Sequence, residues 1–183
     1  MQIETTRLRL RPLILSDYDD LYQLYSDGDV MRYIGKGVRD RQETEISLGK
    51  MMSHWAERGF GMWAVHLKEN GSFVGRCGLQ ALAETGAVEL GYTFHRAYWR
   101  RGLTTEAAAA SLQFGFETIG LPRIVAIARP ANVGSWKVME KLGMKYERTG
   151  ASPYDGSEVV WYGIARDEFR SRRANEHHDK RSE

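Results

Sequence analysis

Polar and apolar residues alternate strictly from Thr6 to Pro12, which reads Thr-Arg-Leu-Arg-Leu-Arg-Pro and predicts a half-buried strand. The period then changes. Ser16 stands as an N-cap before Asp17 and Asp19, and Tyr18, Leu21, Tyr22 and Tyr25 recur at helical spacing to Ser26. Asp27-Gly28-Asp29 is expected to break that helix, and a second is expected over Arg41 to Arg58. Its apolar face is Leu48, Met51, Met52 and Trp55, and Gly59 is its stop. Strand patterns return at Met62 to Leu67 and Ser72 to Leu79, with the hairpin signal Asn70-Gly71 between them, and again at Ala87 to His95. An Ala-rich helix follows Arg100-Arg101-Gly102 and ends at Gly120-Leu121-Pro122. Arg123 to Arg129 reads as a strand, Asn132 as the cap of a helix closed by Gly143, and Met144 to Thr149 and Glu158 to Ala165 as the last strands. The order β-α-α-β-β-β-α-β-α-β-β predicts an α/β fold built on one mixed sheet, antiparallel at its hairpins and parallel at a helical crossover.

Composition changes this picture only at the chain's end. With 183 residues, 42% of them hydrophobic and 27% charged, the chain fits one globular domain. Residues 1–168 are expected to form it. From 169 to 183 the sequence is nearly all polar, and a disordered tail is expected there. A net charge of +2, with acids interleaved among the basic residues of that tail, argues against a nucleic-acid partner. No run approaches the roughly 18 apolar residues of a membrane helix, and Met1 to Arg11 lacks the apolar core of a signal peptide. The expectation is a cytoplasmic monomer or homodimer without a membrane partner. Cys77 is the single cysteine, which excludes an internal disulfide and a multi-thiolate metal site. The histidines show no metal-ligand spacing, so no metal is expected.

Chemistry concentrates around Arg100-Arg101-Gly102-Leu103-Thr104-Thr105-Glu106. A helix N-terminus presents unpaired amides and partial positive charge, which suits phosphate oxygens. Gly102 permits close backbone approach, Arg100 and Arg101 add charge, and Thr104 and Thr105 add hydroxyls. Alone, such a turn is also consistent with an ordinary strand-to-helix connection.

Further motifs lie in order along the chain. They are Glu89-Leu90-Gly91-Tyr92 on the strand, Tyr98-Trp99 before the turn, Thr105-Glu106-Ala107-Ala108 in the helix, Asn132-x-x-Ser135, and Lys141-Leu142-Gly143-Met144. Together with the opening Thr5 to Pro12 and Asp29 to Ile34, they resemble the GNAT superfamily of acyl-CoA N-acyltransferases, and within it the branch of ribosomal-protein N-terminal acetyltransferases. The resemblance implies an acetyl-CoA donor with its pyrophosphate on the amides of Arg100 to Thr105, Leu103 included. It further implies a pantetheine arm alongside Tyr92, Thr93 and Phe94, with Asn132 bonding the arm. The alternative role for Asn132 is that of an N-cap.

Acetyl transfer to a primary amine requires that an ammonium lose a proton and that the leaving thiolate be tolerated. By resemblance Glu89 is the base, with ordered water or a plain solvent-facing carboxylate as the competing readings. Ser135 is the candidate acid, or a small residue that lets its helix pack closely. Many relatives carry a tyrosine four positions later, where this chain has Met139. Arg32, Tyr33, Trp63 and Arg76 are expected to line the acceptor side, with core packing the competing reading for Tyr33 and Trp63, and His95 is a reserve base or a surface residue. The acceptor is expected to be a protein N-terminal α-amine or a small-molecule amine. The alternative is a non-catalytic acyl-CoA-binding sensor or interaction domain, to which the absent tyrosine points.

Overall fold

The computed structural model describes residues 1–83 and 85–179, with side chains through Asn175. An N-terminal hairpin pairs β1 (Ile3–Glu4) with β2 (Leu8–Pro12). Three helices follow, α1 (Tyr18–Ser26), α2 (Gly28–Met31) and α3 (Arg41–Arg58). A meander comes next, of β3 (Met62–Leu67), β4 (Phe73–Ala81) and β5 (Val88–Phe94). Then come α4 (Leu103–Gln113), β6 (Arg123–Ala128), α5 (Val133–Lys141), β7 (Lys145–Ala151), β8 (Glu158–Ala165) and α6 (Arg166–Asp179). The strands form one sheet in the order β1-β2-β3-β4-β5-β6-β8-β7. Every pairing is antiparallel except β5 with β6. The mixed α/β sheet expected from the pattern is therefore present.

Three local expectations change. Asp27 does more than end α1: its carboxylate accepts from the amides of Asp29 and Val30 and so starts α2. Ahead of α1 a single 3-10 turn (Leu15–Asp17) forms instead of a Ser16 cap: Asp17 accepts from the Ile14 amide and pairs with Arg11, and its side chain does not cap α1. The third change concerns the polar segment from 169. It continues as α6 instead of fraying, because Phe169 is buried with its ring 5.0 Å from that of Phe116, and Glu168 pairs with Lys145. Arg172 donating to the Lys141 carbonyl and Arg173 pairing with Glu117 add to this anchor, since tertiary contacts and not propensity supply most helical stability. Positions 180–183, the rest of the expected tail, lie outside the described residues.

The sheet divides the core. On one face Leu8, Leu10, Trp63, Val65, Cys77, Leu79, Leu90 and Phe94 meet Leu103, Ala107, Ala108 and Leu112 of α4 and Met139 of α5. Ala107 and Ala108 are fully buried, and their small side chains allow α4 to lie close on the strands. On the other face Met62 and Ala64 meet Leu21, Leu24, Tyr25, Leu48 and Met51 of α1 and α3. Those helices cover the β2–β4 half of this second face. Over β6 and β8 the described residues form the small cluster of Leu82, Val125, Val159 and Trp161. Glu89, Gly91 and Thr93 of β5 share the second face with Arg76 and Gln80 of β4, to which they pair directly or one step away.

Candidate active site

The turn before α4 is built by backbone. Arg100 takes a left-handed φ of 59°, unusual for a side chain with a Cβ, and Gly102 follows at φ 75° as the N-cap of α4. No side chain caps α4, so its first amides are left for another acceptor. The turn is held from outside. Arg7 donates through Nη1 to the Arg101 carbonyl (2.9 Å) and pairs with Glu106, whose carboxylate also accepts from Thr5 Oγ1 and the Arg7 amide. Trp99 Nε1 donates to the Phe94 carbonyl (2.8 Å) and ties the turn to β5. Thr104 and Thr105 are half-buried in the first turn of α4, while Arg100 and Arg101 are exposed. An anionic diphosphate fits this donor set, because the amides lack partners and no carboxylate side chain caps them.

Between β5 and β6 the sheet opens. Their parallel pairing consists of Glu89 with Val125, and beyond it the strands share no register. The resulting wedge leaves the β5 edge over Tyr92, Thr93 and Phe94 without a ladder partner in β6, and this is the segment expected to pair with an extended ligand. Tyr92 reaches across the wedge: its hydroxyl donates to the Ser135 carbonyl (2.8 Å) and accepts from Ser135 Oγ (3.2 Å). Burial drives the Tyr92 hydroxyl well above the usual tyrosine range, so the pair is held protonated. Asn132 accepts from the Ser135 amide (3.3 Å), which is the N-cap role. Met139 is 1% exposed and points into the core, so it presents nothing to the wedge.

Glu89 stands at the wedge apex on the opposite face. It is 7% exposed, and burial pushes its carboxyl up to about 7, opposed by a hydrogen bond from Tyr154 and by the charge of Arg76. Tyr154 Oη donates to Glu89 Oε2 and accepts from Gln80 Nε2 (3.0 Å). The solvent-facing reading of Glu89 is therefore wrong on burial alone. Nothing in the pattern marked Tyr154. It lies in the β7–β8 turn, sixty-five positions from Glu89, and only strand order brings it there.

The expected acceptor-side residues separate. Trp63 is fully buried, its ring 4.4 Å from that of Trp55 and 5.1 Å from that of Phe114, on the α4 face of the sheet. It is a core residue and walls no channel on the Glu89 face. Tyr33 is half-buried in the segment after α2, which Arg129 holds by donating to the Gly35 carbonyl while pairing with Asp155 (both 2.9 Å). Arg76 does lie on the Glu89 face. Its Nη1 sits 4.0 Å from the position a Cβ on Gly91 would take, so the missing side chain there keeps the space beside Glu89 open to it. Two residues the sequence did not single out join it: Tyr25, whose ring lies under the guanidinium groups of Arg39 (4.3 Å) and Arg76 (5.5 Å), and Arg39 itself. His95 packs its ring edge on Phe73 at 6.0 Å, and burial lowers its basicity. Cys77 is buried against Ser111, and burial pushes its thiol up to about 12, which removes it as a nucleophile. Among the described residues no group of three or more His, Cys, Asp or Glu gathers as a metal site, and no helix is long and apolar enough to cross a membrane.

Known proteins share this architecture. Residues 7–145 match the profile of the family described as "Acetyltransferase (GNAT) domain". The protein YkkB of Bacillus subtilis is 33% identical over 81% of this chain and 87% of its own length. YnaD of the same organism, described as an N-acetyltransferase, is 32% identical over 80% of this chain and 84% of its own. A crystal structure of a GNAT-family acetyltransferase from Bacillus anthracis superposes with a TM-score of 0.80 at 30% identity, covering 91% of this chain and 99% of that one. The matched residues span β5, the turn before α4, β6 and α5, and the chain belongs to the GNAT family of acetyltransferases.

Proposed function

We propose that this acetyltransferase moves an acetyl group from acetyl-CoA to a primary amine, by direct attack with both substrates bound. The donor supplies an activated thioester. The amides of Leu103 to Thr105, with Arg100 and Arg101 beside them, bind its diphosphate, and the free edge of β5 from Tyr92 to Phe94 guides its arm into the wedge. Glu89 receives the proton of the incoming ammonium. An alkylammonium holds its proton up to about pH 10, so a base poised near neutrality is useful, and one buried at the wedge apex is also correctly placed. Tyr154 orients the Glu89 carboxylate and favours its charged form. On the other side of the wedge Ser135 Oγ, turned from its bond to the Tyr92 hydroxyl, can donate a hydrogen bond to the departing sulfur. In this reading Ser135 serves where many relatives use the tyrosine that Met139 replaces.

The observation that carries this reading is the Glu89 carboxyl, buried yet held near 7 at the divergence of β5 and β6. Thiol release from acetyl-CoA, followed across amino acids, polyamines, aminoglycosides and peptides with varied N-termini, tests it. Release with one class of amine, and its loss in Glu89→Gln with acetyl-CoA affinity retained, is the expected result. Tight acetyl-CoA binding with no release for any amine would overturn it in favour of a sensor.

A further inference from the structure

Two guanidinium groups face the site without a carboxylate. Among the described residues Arg39 donates to Ser47 Oγ (2.7 Å), and Arg76 to the thioether sulfur of Met62 (3.4 Å), a weak acceptor. Among the described residues neither forms an ion pair. The neighbouring acids are engaged elsewhere: Asp29 with Arg32 and Arg96, Asp155 with Arg129, and Glu43 with the Asp40 amide. Glu89 itself bonds Tyr154. Both arginines are half-buried, and burial together with the charge of Arg76 makes the Arg39 guanidinium harder to keep protonated. A fold rarely holds two desolvated like charges side by side unless something anionic joins them.

Unpartnered polar atoms gather at the same place. Arg76 Nε is buried without a partner, and so is Oγ1 of Thr93, which is 4% exposed and pairs with Arg76 across the β4–β5 ladder. The hydroxyl of Tyr25, fully buried beneath both guanidinium groups, makes no well-formed hydrogen bond either. Each can donate to an oxygen anion. Together they form a donor-rich corner with no acceptor of comparable strength, which is the complement of a carboxylate. Its position fits the reaction. Arg76 reaches over Gly91, which lies two residues from Glu89 on β5, roughly 7 Å along the strand. That span accommodates an amine at Glu89 and a carboxylate a few bonds away at the arginines.

We propose that the acceptor is a primary amine that carries a carboxylate close to the amine, with Arg76 and Arg39 holding the carboxylate while Glu89 receives the proton. The proposal rests on the acetyl-transfer reading and names the substrate class of the same site. An amino acid and an acidic first residue of a peptide offer the same chemistry, and the experiment separates them. Acetylation is measured for free amino acids against their carboxamides, and for peptides beginning with Asp or Glu against those beginning with Asn or Gln, each compared at equal free-base concentration. The acid member is expected to be preferred more than about tenfold, the size of one charge-assisted hydrogen bond. Preference within the first pair identifies a free amino acid, and within the second a peptide. In Arg76→Gln and in Arg39→Gln the ratio should fall towards one, mainly through KM, and Arg76→Lys should restore part of it. Equal turnover of acid and amide in the wild type, or an equal loss for both in the arginine variants, overturns the proposal. Should no amine be acetylated, which is the failure of the acetyl-transfer reading, calorimetry of the same pairs on the CoA-bound protein still decides. Tighter binding of the acid, lost in Arg76→Gln, supports the carboxylate corner, and equal or absent binding sinks it.

Discussion

The two sides of the wedge are made differently. On the donor side, the turn from Arg100 to Thr105 uses main-chain amides and one glycine, all from a single short segment whose shape follows from Gly102 and the helix after it. On the acceptor side, Tyr25, Arg39, Arg76, Glu89 and Tyr154 come from α1, the segment before α3, β4, β5 and the β7–β8 turn. A ligand common to many proteins can be bound by backbone, which any sequence supplies. A particular acceptor needs side chains, and these can vary while the sheet beneath them stays put. The comparison also separates the electrostatics. The donor side offers partial charges open to solvent, whereas the acceptor side holds Glu89, Tyr154 and Arg39, whose protonation burial has shifted.

Glu89→Gln is the sharpest way to break that division. General-base catalysis is worth roughly 10²- to 10⁴-fold, so kcat/KM should fall within that range while CoA affinity stays as it was. In the wild type the rate should rise with pH through about 7 as Glu89 ionises, and the variant should lose that rise. Stability should move in the opposite direction. A carboxyl held at about 7 in the fold but near 4.5 when unfolded contributes stability below the unfolded value and loses it as pH climbs through 7. Thermal melts should therefore show Glu89→Gln gaining on the wild type at pH 8 and not at pH 4. A wild-type pH–rate profile in the variant would place the base elsewhere.

Trp63→Ala should act on the fold. Removing a fully buried indole packed on Trp55 and Phe114 is expected to cost about 3–5 kcal/mol in chemical denaturation. Any effect on KM for the amine should follow the loss of folded protein; a raised KM in a variant of unchanged stability would return Trp63 to the acceptor wall. Arg101→Glu with Gly102→Asp tests the donor side in isolation. Two acids beside the open amides, one of them at φ 75°, should weaken CoA binding by calorimetry on the order of tenfold or more. Amine selectivity should not change, and a shift in it would mean that the two sides are coupled. The smallest effect is expected for Tyr154→Phe. Loss of the donor that favours the Glu89 carboxylate should move the midpoint of the pH–rate profile upward and slow the reaction a few-fold at neutral pH. A profile that moved down would contradict the geometry.

Legibility in the sequence followed how local each feature is. Alternation at Leu8 and Leu10, the Asn70-Gly71 hairpin and the Asn132 cap all report on neighbours within a pleat or a turn, and the structure has them where the pattern puts them. Glu89 was legible as a position through the motif around it, but its burial was not, because the residues that desolvate it come from other strands and a distant turn. Trp63 misled for the same reason in reverse: an aromatic on a central strand reads alike whether its face meets helix or ligand, and only the packing of α4 against it decides. The polar end of the chain is docked as a helix by Phe169 on Phe116, Arg172 on the Lys141 carbonyl and Arg173 on Glu117, contacts that composition does not record.

What the sequence determined by itself is the order of elements, the mixed sheet they imply, the glycine-started helix and the family to which its motifs belong. Tertiary structure alone decided that β5 and β6 part at Glu89, that Tyr154 arrives at its carboxylate, and that Arg39 and Arg76 meet over Tyr25 with no acid between them. The physical reason is that periodicity and capping are short-range properties of a chain. Desolvation, shifted protonation and the convergence of charges depend on which distant segments share a face, and that is known only when the sheet has formed.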